Sequence, residues 1–154
     1  MKSRYNKLLF KQIAKKLEPY MALQKETVPA NGWVAAVRLA LGMSMSQLGK
    51  KMGKSPQAVN EIQNREKNGS ITLNSLREIA GVMHMKVVYA IIPDNVQSLE
   101  DYIRKRAEEK AKEIVLRTNN TMILESQEIG EQRKKESINE VTEEFLEKPS
   151  ELWD

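Results

Sequence analysis

Gly42-Met-Ser-Met-Ser-Gln-Leu-Gly-Lys-Lys-Met-Gly-Lys-Ser-Pro-Gln-Ala-Val-Asn-Glu-Ile-Gln-Asn-Arg65 decides the fold, because its punctuation marks two short helices that meet at a tight turn. Ser44 can accept from the exposed amides of a helix starting at Met45. Ser55, followed by Pro56 at the first helical position, does the same for the next helix. Gly53 ends the first helix where a left-handed residue turns the chain sharply, and Gly49 removes a side chain where crossing helices approach closely. Leu48, Met52, Val59 and Ile62 supply apolar contact between the two.

Outward from this stretch, short helical segments are predicted at Trp33–Leu41 and Leu73–Met83, completing a compact helical bundle with Met45–Met52 and Pro56–Arg65. Pro29 and Asn31 separate it from an amphipathic N-terminal helix whose Leu9, Ile13, Leu17 and Met21 recur every four residues. Lys86-Val87-Val88-Tyr89-Ala90-Ile91-Ile92, closed by Pro93, is rich in β-branched and aromatic residues and is expected to form a short strand. A lone strand leaves its backbone groups unpaired, so it is expected to pair with its own copy in a homodimer. Ser98 and Asp101 then open a long helix with Ile103, Ala107, Ala111 and Ile114 along one stripe. A last helix runs over Glu131–Glu147 with Ile138, Val141 and Phe145 on one face. The expected fold is mainly α. An N-terminal helix lies within residues 1–28, a helix-turn-helix domain with its terminal strand over 29–92, and a helical dimerisation or partner-binding region over 93–154.

Charge divides the chain. Residues 1–60 hold eleven Lys/Arg against two acids, and residues 61–154 hold fourteen against nineteen. The basic end either faces a polyanion or simply solvates helix faces; the motif decides for nucleic acid. Residues 125–154 carry ten acids against four bases, a surplus that either solvates the tail or docks on the basic N-terminal helix of the same or a partner subunit.

The chain has no Cys and a single His, His84, so neither a disulfide framework nor a paired-imidazole metal site is expected. No cofactor, metal or small-molecule substrate is expected, and no catalytic residue. Phosphate-cradling glycine loops are absent, and the carboxylates follow exposed helical spacing. With no signal peptide and no apolar run long enough to cross a bilayer, a cytoplasmic protein without membrane contact is expected. Trp33 and Trp153 are expected to be packing anchors, His84 to end a helix, and Met43, Met45 and Met52 to fill core and interface.

The register of Ser44, Leu48, Gly49, Gly53, Ser55, Val59 and Ile62 resembles the helix-turn-helix of Cro and phage-repressor (XRE) proteins, over roughly residues 31–84. The resemblance implies a lambda-repressor-like bundle whose second motif helix enters the DNA major groove. On it, Gln57, Ala58, Asn60, Glu61 and Asn64 would face base edges. Ser44, Ser46, Gln47, Lys50, Lys54, Ser55, Arg65 and Lys67 would hold phosphates. Two positions depart from the family: Met45 stands where Gln is frequent, and Gln63 where Glu is common. The resemblance implies a dimer of such modules that would bind double-stranded DNA at an inverted repeat.

Gly32-Trp33, Arg65-Glu66, Gly69-Ser-Ile-Thr-Leu73, Val88-Tyr-Ala90, Thr121-Met122 and Leu152-Trp-Asp154 together resemble the family called mobile mystery protein A. Its members are implied to be encoded beside a Fic-domain protein, mobile mystery protein B, as an antitoxin-like autorepressor beside a toxin. An alternative is a protein-binding inhibitor of the Fic protein with only secondary DNA binding. Thr121-Met-Ile-Leu-Glu125-Ser126 fits five of the six positions of a known Fic-inhibitory motif, Ser126 being the departure. Thr121 and Glu125 are its candidates, Glu125 capturing an Arg of the nucleotide site; an ordinary exposed helix end is the competing reading.

Overall fold

The computed structural model describes residues 6–124 and 130–154. The chain is mainly helical, with α1 Lys7–Met21, α2 Trp33–Ala40, α3 Met45–Met52, α4 Pro56–Asn68, α5 Leu73–Val82, α6 Leu99–Leu124 and α7 Glu131–Glu147. Short 3-10 turns follow α1 at Ala22–Lys25 and α7 at Pro149–Trp153. No helix among the described residues is long and apolar enough to cross a membrane. The helices fall into two compact units, one spanning Lys25–Tyr89 and one joining the described residues up to Gln24 with Ala90–Asp154.

In the Lys25–Tyr89 unit, α2 to α5 enclose Val34, Leu48, Val59, Ile62, Ile79 and Met83. Leu48, Val59 and Ile79 are wholly buried, each worth about 1.5 to 3 kcal/mol of transfer free energy. Met43, Met45 and Met52 pack on this core, as flexible thioethers do in irregular gaps. The helix ends follow local chemistry: Thr72 caps α5 by accepting from the Ser75 amide at 3.1 Å, and Gly69 in the left-handed region closes α4. His84 follows α5 with φ 58°, taking the left-handed position a glycine often fills.

In the other unit, α6 and α7 pack around Ala107, Phe145 and Leu152, with Ile103, Val141 and Leu146 against them. Ser98 Oγ accepts from the Asp101 amide at 3.0 Å and starts α6. Lys110 Nζ donates to the carbonyls of Glu151 at 2.9 Å and Asp154 at 3.2 Å, pinning the final 3-10 turn. Trp153, 56% exposed, lies parallel to Tyr102 with ring centroids 6.5 Å apart. Gln24 Nε2 closes the end of the N-terminal segment onto the carbonyls of Pro93 and Val96 at 2.6 and 2.8 Å.

Three expectations are corrected. No strand forms among the described residues. Lys86–Ile92 has no regular structure, and none of its backbone N–H or C=O groups meets a described partner, because a ladder needs a second strand that the described residues do not supply. On α1 the inward positions are Phe10, Ala14, Leu17 and Met21, while Leu9 and Ile13 stay exposed. The 4-3-4 spacing of the inward set keeps it within a narrower arc of a 3.6-residue helix than a strict four-residue repeat, which drifts about 40° per step. On α6 the buried stripe continues from Ala107 and Ala111 to Val115, and Ile114 stays at the surface.

Candidate nucleic-acid interface

The turn between α3 and α4 is built by its own sequence. Ser44 and Gln47 form a reciprocal capping box: Ser44 Oγ accepts from the Gln47 amide at 3.0 Å, and Gln47 Oε1 accepts from the Ser44 amide at 2.8 Å. Gly53, with φ 66°, caps α3, and the Lys54 amide donates back to the Gly49 carbonyl at 2.8 Å. A Cβ on Gly49 would lie 2.5 Å from the Lys54 carbonyl oxygen. The glycine therefore makes room for the backbone of the turn rather than for a neighbouring helix. Ser55 Oγ accepts from the Ala58 amide at 3.1 Å, and Pro56 opens α4.

α4 is held from behind by groups that composition does not reveal. Val59, Ile62 and Gln63 form its buried face. Gln63 Oε1 accepts from the buried Arg38 Nε at 2.9 Å, Arg38 Nη1 donates to the Met43 carbonyl at 2.6 Å, and Gln63 Nε2 faces Met45 Sδ at 3.6 Å. The two departures from the resembled family, Met45 and Gln63, are thus neighbours in one network. At the other end of α4 the Glu66 carboxylate accepts from the amides of Trp33 at 2.6 Å and Val34 at 2.9 Å, capping α2 from a distance. Gly32, the N-cap of α2, has φ 85° and no side-chain cap of its own, and a Cβ there would press on Glu66 at 2.8 Å. Arg38, Gln63 and Glu66 escaped the sequence reading as positioning residues. No local sequence signal marks them, because their partners lie 25 and 33 residues away.

At 100° per residue, Gln57, Asn60, Glu61 and Asn64 share the side of α4 opposite Val59, Ile62 and Gln63, and all four are exposed. Ala58 sits at the flank and is half-buried. Glu61 has a tether, since Arg65 Nη2 approaches its carboxylate at 3.9 Å across one helical turn. Ser44, Ser46, Gln47, Lys50, Lys54, Ser55, Arg65 and Lys67 are all exposed on α3, the turn and α4. Ser44, Gln47 and Ser55 are already engaged as caps, leaving the two hydroxyl protons and the Gln47 amide NH2 to donate. Between Lys25 and Tyr89 there are nine Lys/Arg against four acids. Thr121 is exposed on α6 and its hydroxyl donates to the Arg117 carbonyl at 3.1 Å, whereas Glu125 lies outside the described residues. Comparison with protein-family models, curated proteins and solved structures finds no match to this chain.

Proposed function

We propose that the chain is a non-catalytic, sequence-specific DNA-binding regulator with a lambda-repressor-like helix-turn-helix bundle, acting as a homodimer on an inverted repeat. The observation that carries this reading is α4. It is a helix fixed on its inner side by apolar packing and the Arg38–Gln63 bond, and it presents Gln57, Asn60, Glu61 and Asn64 together on its open side. Amide side chains suit the paired donor and acceptor of adenine, and a carboxylate suits the cytosine amine. Lys50, Lys54 and Lys67, with the two serine-capped helix starts, provide phosphate contacts that set register. Selection from a random duplex pool followed by gel shift tests it. An enriched two-fold site whose affinity falls steeply with salt is the expected result. Equal affinity for all duplexes, or none at low salt, sinks the proposal.

A second reading, an antitoxin-like inhibitor of a Fic-domain protein, is favoured by the acidic surface of α7, where Glu140, Glu143, Glu144 and Glu147 line one open face with Asn139. Such a surface suits a basic protein partner. Co-expression with a Fic-domain protein encoded beside the gene should yield a complex that Glu140→Lys with Glu144→Lys disrupts. A complex indifferent to both changes removes α7 from the contact.

A further inference from the structure

The stretch from Lys86 to Ile92 is the least satisfied part of the described backbone. Met85 still donates to the Ala80 carbonyl at 2.8 Å, but the seven residues after it make no backbone bond to any described residue. Three of its large apolar side chains are equally bare, with Val88 62%, Tyr89 59% and Ile91 89% exposed, while Val87 and Ile92 are half-buried. Composition argues against leaving such a segment in water, since β-branched and aromatic residues favour a pleated, half-covered surface. Arg77 holds it in place by setting its guanidinium 5.6 Å from the Tyr89 ring centre. Beside it lies an open groove of about 320 Å3, walled in part by Trp33, Leu76, Met83, Met85 and Val88.

We infer that residues 86–92 are the dimer contact, pairing antiparallel with the same segment of a second copy about a two-fold axis at Tyr89. This rests on the dimeric part of the function proposed above and assigns its surface. The occupant is a second copy because the segment is complementary to itself. With Tyr89 opposite Tyr89, Val87 meets Ile91, Val88 meets Ala90 and Lys86 meets Ile92. The β-branched residues Val87 and Ile91 face each other, and the one charged residue of the segment, Lys86, never faces its own copy. The ladder has natural ends: Met85 is already bonded into the turn after α5, and Pro93 has no N–H to contribute. Two short strands alone are marginal, so the adjoining apolar groove supplies the remaining burial.

The chain contains no Cys, which makes a single introduced thiol an unambiguous reporter. Facing residues in an antiparallel pair have Cα atoms about 4.5 to 5.5 Å apart, within disulfide reach. The full-length Tyr89→Cys variant should therefore oxidise to a covalent dimer, while Lys51→Cys should not. Sedimentation of the unmodified chain without DNA should show a dimer. Only alternate residues of a two-stranded ribbon turn their N–H toward the partner, so Val88→Pro and Tyr89→Pro should act unequally. One should raise the dimer dissociation constant by about tenfold or more, having removed two symmetry-related bonds, and the other should be tolerated. A chain that sediments as a monomer throughout overturns the inference. So does a dimer in which the Tyr89→Cys variant fails to cross-link, or one that both prolines leave intact. Because every arm is read without DNA, an intact cross-linked dimer that binds no specific duplex counts against the DNA-reading proposal alone.

Discussion

Gly49 shows how one missing atom holds the motif together. A Cβ there would stand 2.5 Å from a backbone oxygen that cannot move without opening the turn. Gly49→Ala should therefore cost about 1 to 3 kcal/mol, read as a lower urea midpoint. Gly53→Ala, which meets no atom within 4 Å, should cost only the left-handed backbone penalty of about 1 to 2 kcal/mol. Glu66 works by a different route, its two oxygens serving the Trp33 and Val34 amides at the start of α2. Glu66→Ala should lose about 1 to 2 kcal/mol of stability by thermal or chemical unfolding, the scale of a lost helix cap. Arg38 is a buried cation that donates to neutral partners, the Gln63 side chain and the Met43 carbonyl. Gln63→Ala strands the Arg38 Nε donor and should cost about 2 to 4 kcal/mol; an unchanged melting curve would show that the network contributes nothing.

At the scale of the element, α4 divides its work by side. The buried side belongs to stability, and its loss should appear in unfolding experiments before it appears in binding. The exposed side belongs to recognition on the function proposed here. Gln57→Ala or Asn60→Ala should relax preference at particular base pairs by about 1 to 3 kcal/mol without altering the melting curve. Lys50→Ala should weaken all duplexes alike and reduce the salt slope by about 1. Measured by titration of matched and mismatched duplexes, indistinguishable effects from the two kinds of substitution would mean that another side of the motif meets the bases. Glu61 adds a competition, since Arg65 already lies 3.9 Å from its carboxylate. Arg65→Ala should therefore change preference at the base pair Glu61 faces as well as overall affinity.

At the scale of the whole molecule, each compact unit has its own apolar cluster, so damage should stay local. Ala107 and Ala111 are wholly buried on α6, and their small side chains let the neighbouring structure approach its backbone. Ala107→Leu should overpack that cluster at a cost of about 1 to 3 kcal/mol. Hydrogen exchange is the measurement that checks it. Protection should fall in α6 and α7 while α3 and α4 keep theirs, and a matching loss in α3 and α4 would show that the two cores unfold as one.

Local chemistry alone was enough to place most helices. Serine, threonine and glycine caps act within one turn, so Ser44, Gly53, Ser55 and Ser98 mark their boundaries whatever surrounds them. The choice among near-equivalent apolar positions depends on a neighbouring surface that periodicity does not see. That is why Phe10 and Ala14 turn inward where Leu9 and Ile13 were expected, and why Val115 replaces Ile114. β-Branched composition suggests extension at Lys86–Ile92, but a strand exists only with a partner, and the described residues provide none. That Gln57, Asn60, Glu61 and Asn64 share one exposed side of α4 was legible because their spacing follows the helix they lie on. What only the tertiary structure decided is the frame behind them: Arg38 meets Gln63 across 25 residues and Glu66 meets Trp33 across 33, contacts between distant positions that no local pattern encodes.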